Sequence, residues 1–80
     1  MDTPLPQWQR ELDASGLLCP LPALKAKRAL NQMSAGEVLR VRATDPKAPQ
    51  DFALLCAQSG HVLEAVVPDG EGCFLFLRRS

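Results

Sequence analysis

A chain of eighty residues makes one domain that buries only about 60% of its unfolded surface, which excludes a deep cleft between two lobes and places any chemistry at the surface. Nine basic residues balance nine acidic ones, for a formal net charge of zero and a pI of about 6.5; this excludes a general electrostatic pull toward nucleic acid or an anionic membrane. The composition, 46% hydrophobic and 22% charged, is that of an ordinary globular domain.

No apolar run approaches the roughly 18 residues of a membrane span. The start, Met1-Asp2-Thr3-Pro4-Leu5-Pro6, carries neither a basic nor an apolar leader region, so a cytoplasmic location is expected. Residues 1–7 hold two of the seven prolines and are expected to form a loose arm ahead of a single domain over residues 8–80. Cys19, Cys56 and Cys73 are an odd set at wide, irregular spacing without Cys-x-x-Cys, a poor disulfide framework and a poor zinc ribbon.

Gln7 to Asp13 alternates as a short strand with Trp8, Arg10 and Leu12 on one side, broken at Ser15-Gly16. From Pro20 to Met33 the period becomes helical: Ala23, Ala26, Ala29, Leu30 and Met33 share one face, and Gly36 is expected to close the helix. Glu37 to Ala43 alternates apolar with basic residues as a half-buried strand. Asp45-Pro46 reads as a second helix start, followed by Ala48, Phe52, Leu55 and Ser59 at helical spacing and ended by Gly60. His61–Val67 and Cys73–Arg78 are strand-like runs around Pro68-Asp69-Gly70-Glu71-Gly72, whose Asp-Gly favours a tight hairpin. The order βαβαββ predicts an α/β (α+β) two-layer sandwich, a mixed four-stranded sheet with both helices on one face.

The chemistry concentrates in Gly16-Leu17-Leu18-Cys19-Pro20-Leu21-Pro22. Cys19 is expected at the helix N-cap with Pro20 and Pro22 at the first and third helical positions, where a missing N–H breaks no helical bond. There the positive end of the helix should lower the thiol pKa below its free value of about 8.5, moderately, because the prolines remove two N–H donors. A single histidine, His61, opens a later strand, so no Cys-His or Ser-His-Asp set can be assembled. A lone activated thiol on a stiff helix start, without a cleft, suits a carrier that holds a group covalently and passes it on.

Leu12-Asp13-Ala14-Ser15-Gly16-Leu17-Leu18-Cys19-Pro20-Leu21-Pro22, with Gly36-Glu37, Thr44-Asp45-Pro46, Asp51-Phe52, Cys56 and Gly60-His61, resembles the TusA (SirA-like) sulfur-carrier family over residues 11 to 79, through its Cys-Pro-x-Pro signature. The resemblance implies a sulfurtransferase-type carrier rather than a stand-alone turnover enzyme. Cys19 would accept sulfane sulfur as a persulfide from a cysteine desulfurase or rhodanese-like donor. The acceptor would be a DsrE-like protein or a thiouridylase, in many relatives toward tRNA 2-thiouridine; other members serve molybdenum-cofactor assembly or sulfur oxidation. No other cofactor, no metal, no direct nucleic acid or membrane contact and a monomeric state are expected. Leu18 stands where relatives often carry a basic or polar residue.

Leu21 and Leu24 fall off the apolar stripe of the first helix and, with Leu18 and the basic Lys25, Lys27 and Arg28, form a candidate docking patch. Gly16, Asp13 and Asp45 are read as shaping the site, the two aspartates chiefly through capping and turns. Cys56 is expected to be buried and inert, and Cys73 exposed and incidental. Two rival readings are a zinc site from Cys19, Cys56, His61 and Cys73, and an interaction module that regulates a partner by docking alone, in which Cys19 is dispensable.

Overall fold

The computed structural model describes residues 7–80; apart from Gln7, the expected N-terminal arm lies outside them. The elements are β1 (Arg10–Ala14), α1 (Leu21–Asn31), β2 (Val38–Ala43), α2 (Ala48–Ser59), β3 (Val62–Asp69) and β4 (Gly72–Arg78), the expected βαβαββ order. The sheet order is β1-β2-β4-β3. β1 and β2 are parallel, with Ala14 opposite Ala43, while β4 runs antiparallel to both β2 and β3.

Period-2 alternation divides the sheet into two faces. Ala14, Leu39, Val41, Ala43, Cys73, Leu75 and Leu77 meet Ala26, Ala29, Leu30, Ala48, Phe52 and Cys56 of the helices in one core. The helices thus share one face, α1 over β1 and β2 and α2 over β3. Phe52, Leu30 and Leu75 are fully buried, and truncating a phenylalanine so placed costs about 3–5 kcal/mol.

The opposite face is polar and aromatic. The Arg40 guanidinium lies 3.9 Å from the centre of the Trp8 ring and 4.4 Å from that of Phe74, and also binds Glu11; Trp8 meets Phe76 edge-on at 6.0 Å. This corrects the first strand in two ways. It starts at Arg10, and Trp8 lies on the face away from Leu12, because the ring finds a cation and an aromatic edge there and the helices already fill the other side.

Element ends also depart from the sequence reading. α1 starts at Leu21 and ends at Asn31, with Gln32 as its cap in right-handed conformation. Gly36 does not close the helix: its φ of +86° serves the turn into β2, and its N–H is given to the Arg79 carbonyl. Arg79 Nε in turn donates to the Leu30 carbonyl at 2.8 Å, satisfying a helix-end acceptor from across the chain. α2 begins at Ala48, three residues after Asp45, and ends as expected at Gly60, φ +81°. β3 continues through Pro68 and Asp69, so the hairpin loop shrinks to Gly70 and Glu71.

Candidate functional site

Since β1 and β2 are parallel neighbours, the loops that leave their C-terminal ends emerge side by side, the usual place for a site in such sheets. The first loop is pinned on the second by two hydrogen bonds. The Gly16 N–H donates to Thr44 Oγ1 at 2.9 Å, and the Cys19 N–H donates to Asp45 Oδ2 at 2.6 Å. Gly16, at φ +80°, makes the turn that a side chain would strain. Leu17 anchors the loop by packing against the core.

Asp45 is 9% exposed, the one buried charged side chain among the described residues. Its second oxygen accepts the Lys47 N–H at 3.0 Å. These two backbone donors hold its carboxyl below the usual carboxylate range. Asp45 therefore both shapes the approach to α2 and orients the Cys19 loop. Asp13 has a more local role: it accepts the Ser15 N–H at 3.0 Å, and hydrogen bonding from the Ser15 side chain first, then from this N–H, holds its carboxyl below the usual range.

Cys19 is exposed but is not the N-cap. Pro20 holds that position, joined to Cys19 by a cis peptide bond, and Leu21 and Pro22 open the helix. The thiol thus precedes the helix start, one residue beyond its expected place. Its pKa is raised, not lowered: the neutral thiol is favoured first by its hydrogen-bonding interaction with the Asp51 carboxylate, then by desolvation and by the negative charges of Asp51 and Asp45, with Lys47 partly opposing them. Carboxylates from the second loop and α2 outweigh a helix end that the prolines had already stripped of donors.

The thiol heads a groove of about 260 Å³ between the helices, lined by Pro20, Ala23, Leu24, Lys27, Asp51, Leu54, Leu55 and Gln58. Leu24 and Leu54 are 56% and 58% exposed on its rim. A second groove of about 400 Å³, between α1 and the β1 edge, is lined by Arg10, Leu12, Leu21, Leu24, Lys25 and Arg28 among others. Leu21 and Leu24 are exposed, as the helical spacing required, and Leu18 is 70% exposed beside the thiol. The expected patch is therefore divided: Lys27 belongs to the Cys19 groove, Lys25 and Arg28 to the other, and Leu24 to both. The sequence assigns no role to Lys47 or Leu54, and Asp51 enters it only as part of the family resemblance. An acid in the first turn of a helix reads as ordinary N-terminal charge until the fold sets it against the thiol.

Cys56 is buried, as expected, and burial pushes its thiol up. Cys73 is also buried, contrary to expectation: β4 opens one residue earlier at Gly72, and alternation turns Cys73 inward with Leu75 and Leu77. His61 lies at the far end of α2, whose twelve residues span about 18 Å, and its Nδ1 accepts the Ser80 N–H at 3.0 Å. Burial and the Arg79 charge lower its pKa. Among the described residues no three His, Cys, Asp or Glu side chains converge as metal ligands, so the four candidate zinc ligands are not brought together. None of the described helices is long and apolar enough to cross a membrane.

A four-stranded sheet carrying two helices on one face, with an exposed thiol ahead of the first helix and a shallow groove beside it, defines a small domain built to present a cysteine. The sequence comparisons agree on which one. The model of the family described as Sulfurtransferase TusA matches residues 10–79, and the chain belongs to this family of sulfur carriers. It is 51% identical to the sulfur carrier protein TusA of Allochromatium vinosum over 88% of this chain and 91% of that protein. With the TusA of Pseudomonas syringae it shares 41% identity over 88% and 82%. The crystal structure of a SirA-like protein from Desulfitobacterium hafniense superimposes with a TM-score of 0.78 at 25% identity, covering 88% of this chain and 96% of that one.

Proposed function

We propose that Cys19 is the sulfur-bearing residue, taking sulfane sulfur as a persulfide from a cysteine desulfurase or rhodanese-like donor and relaying it to an acceptor protein, in a route toward tRNA 2-thiouridine. The observation that carries this reading is the contrast among the three thiols: Cys19 is exposed, whereas Cys56 and Cys73 are buried in the core. A thiol must reach a partner's sulfur to exchange with it. Gly16 and Asp45 hold the Cys19 loop against the β2–α2 connection, Pro20 and Pro22 stiffen the helix start behind the thiol, and Asp13 fixes the turn before it. Docking falls to the two grooves that meet at Leu24, with Lys27 in the one beside Cys19, Leu21, Lys25 and Arg28 in the one along the β1 edge, and Leu18 exposed by the thiol; leucines set among basic side chains suit an acidic partner face. In this reading the group carried at the site is covalent sulfur on Cys19.

The testing experiment is sulfur transfer from a cysteine desulfurase and labelled cysteine to wild type and to Cys19→Ser. Wild type should take up label and pass it to an acceptor, and Cys19→Ser should take up none while still binding the donor. Full biological activity of Cys19→Ser would instead favour regulation by docking alone.

A further inference from the structure

Cys19 shares its groove with one carboxylate that the fold does not otherwise employ. Two acids face the thiol, Asp45 and Asp51, with Lys47 beside them and Lys27 on the α1 wall. Asp45 is buried and both its oxygens are taken by backbone N–H groups. Asp51 is half-buried in the first turn of α2 and lines the groove with Cys19. Its ion-pairing capacity is unused among the described residues, whose ion pairs are Arg40–Glu11, Arg42–Asp69 and Arg78–Glu64.

We propose that Asp51 is a second catalytic residue of this site, a switch on the Cys19 thiol that a cationic side chain of the sulfur donor throws by pairing with the carboxylate. The proposal rests on the persulfide reading above. In the free protein the Asp51 carboxylate, in the same groove as Cys19, disfavours a second negative charge there, so the exposed sulfur stays a neutral, weak nucleophile. A docked cation neutralises Asp51 and the thiol proton passes to water. Sγ then attacks the outer sulfur of the donor's persulfide. One S–S bond forms to Cys19 while the donor's S–S bond breaks, its electron pair staying on the donor cysteine, which takes a proton from water. Thiol plus persulfide gives persulfide plus thiol, with no net oxidation.

The test compares wild type and Asp51→Asn, a change of charge at nearly constant shape, in two reactions read at the Cys19 peptide by mass spectrometry. With a small neutral alkylating reagent, the pH midpoint of Asp51→Asn should fall and its rate near pH 7 should rise several-fold, the order expected for removing one neighbouring unit charge in water. With a cysteine desulfurase as donor, the same variant should load sulfur several-fold more slowly, having lost the group that the donor's cation pairs with. Opposite movements of the two rates support the switch, because a merely structural defect moves both the same way. An unchanged or raised midpoint, or rates that change together, overturns it. Failure of wild type to take any sulfur would overturn the carrier reading itself, and the alkylation profile, which needs no donor, tells the two failures apart.

Discussion

The Asp45 carboxylate and the Cys19 backbone N–H, 26 positions apart in sequence, meet at 2.6 Å. This bond, with that of Asp45 to the Lys47 N–H, lets one buried side chain set both the Cys19 loop and the entry to α2. Asp45→Ala leaves two backbone donors without their acceptor, and a loss of about 1–3 kcal/mol is expected. Asp45→Asn keeps one carbonyl oxygen and should fall between. Urea unfolding of the three proteins checks the order, and equal stability of Asp45→Ala and wild type would contradict it.

Gly72 is opposite Asp69 at the hairpin and packs against the end of β2. A Cβ there would lie 2.4 Å from the Ala43 carbonyl oxygen, and that oxygen is backbone, with no rotamer to yield. Gly72→Ala should therefore destabilise by about 2–3 kcal/mol. Gly70→Ala, where a Cβ meets nothing within 4 Å but φ is +60°, should cost only about 1 kcal/mol. Thermal melts of the two variants give the comparison, and Gly70→Ala melting lower than Gly72→Ala would reverse it.

Burial holds Cys56 and Cys73 as neutral thiols, with raised pKa values; Arg42 partly opposes the rise at Cys73. The folded chain thus binds these protons more tightly than the unfolded chain. Their contribution is complete below the unfolded thiol value of about 8.5 and is lost as pH rises through the raised folded value. Urea midpoints should fall from about pH 8 to about pH 10, and the double variant Cys56→Ala, Cys73→Ala should show a flatter decline from a lower starting stability. An equally steep decline in the double variant would place the effect elsewhere.

Leu21 and Leu24 are 47% and 56% exposed, so Leu21→Asp with Leu24→Asp should leave the melting temperature close to wild type. A carboxylate forced into the core would instead cost several kcal/mol, much of a small domain's stability. Alkylation of Cys19 by a small reagent should remain near normal while sulfur transfer from a protein donor slows. Undiminished transfer would place docking elsewhere.

The fold was legible because its signals are local and agree. Ala26, Ala29 and Leu30 recur at helical spacing, Val41 and Ala43 alternate with Arg40 and Arg42, and Gly60 ends α2 where the pattern stops. An exposed thiol close to the start of the first helix was legible because Pro20 and Pro22 open the helical pattern directly after Cys19. What the sequence concealed arises from contacts between distant segments. Trp8 leaves the Leu12 face for Arg40 and Phe76, and Cys73 turns inward once β4 begins at Gly72. The thiol's electrostatics depart from the local pattern for the same reason: a helix end can be read locally, but Asp51 comes beside Cys19 only after β1 and β2 pair and bring α2 alongside.

The central claim is that Cys19 alone bears the transferable sulfur. Wild type treated with a cysteine desulfurase and cysteine, then digested without reductant, should yield one added sulfur atom on the peptide containing Cys19 and none on those containing Cys56 or Cys73. An adduct mapping to either buried cysteine, or equal loading of Cys19→Ser, would contradict the account.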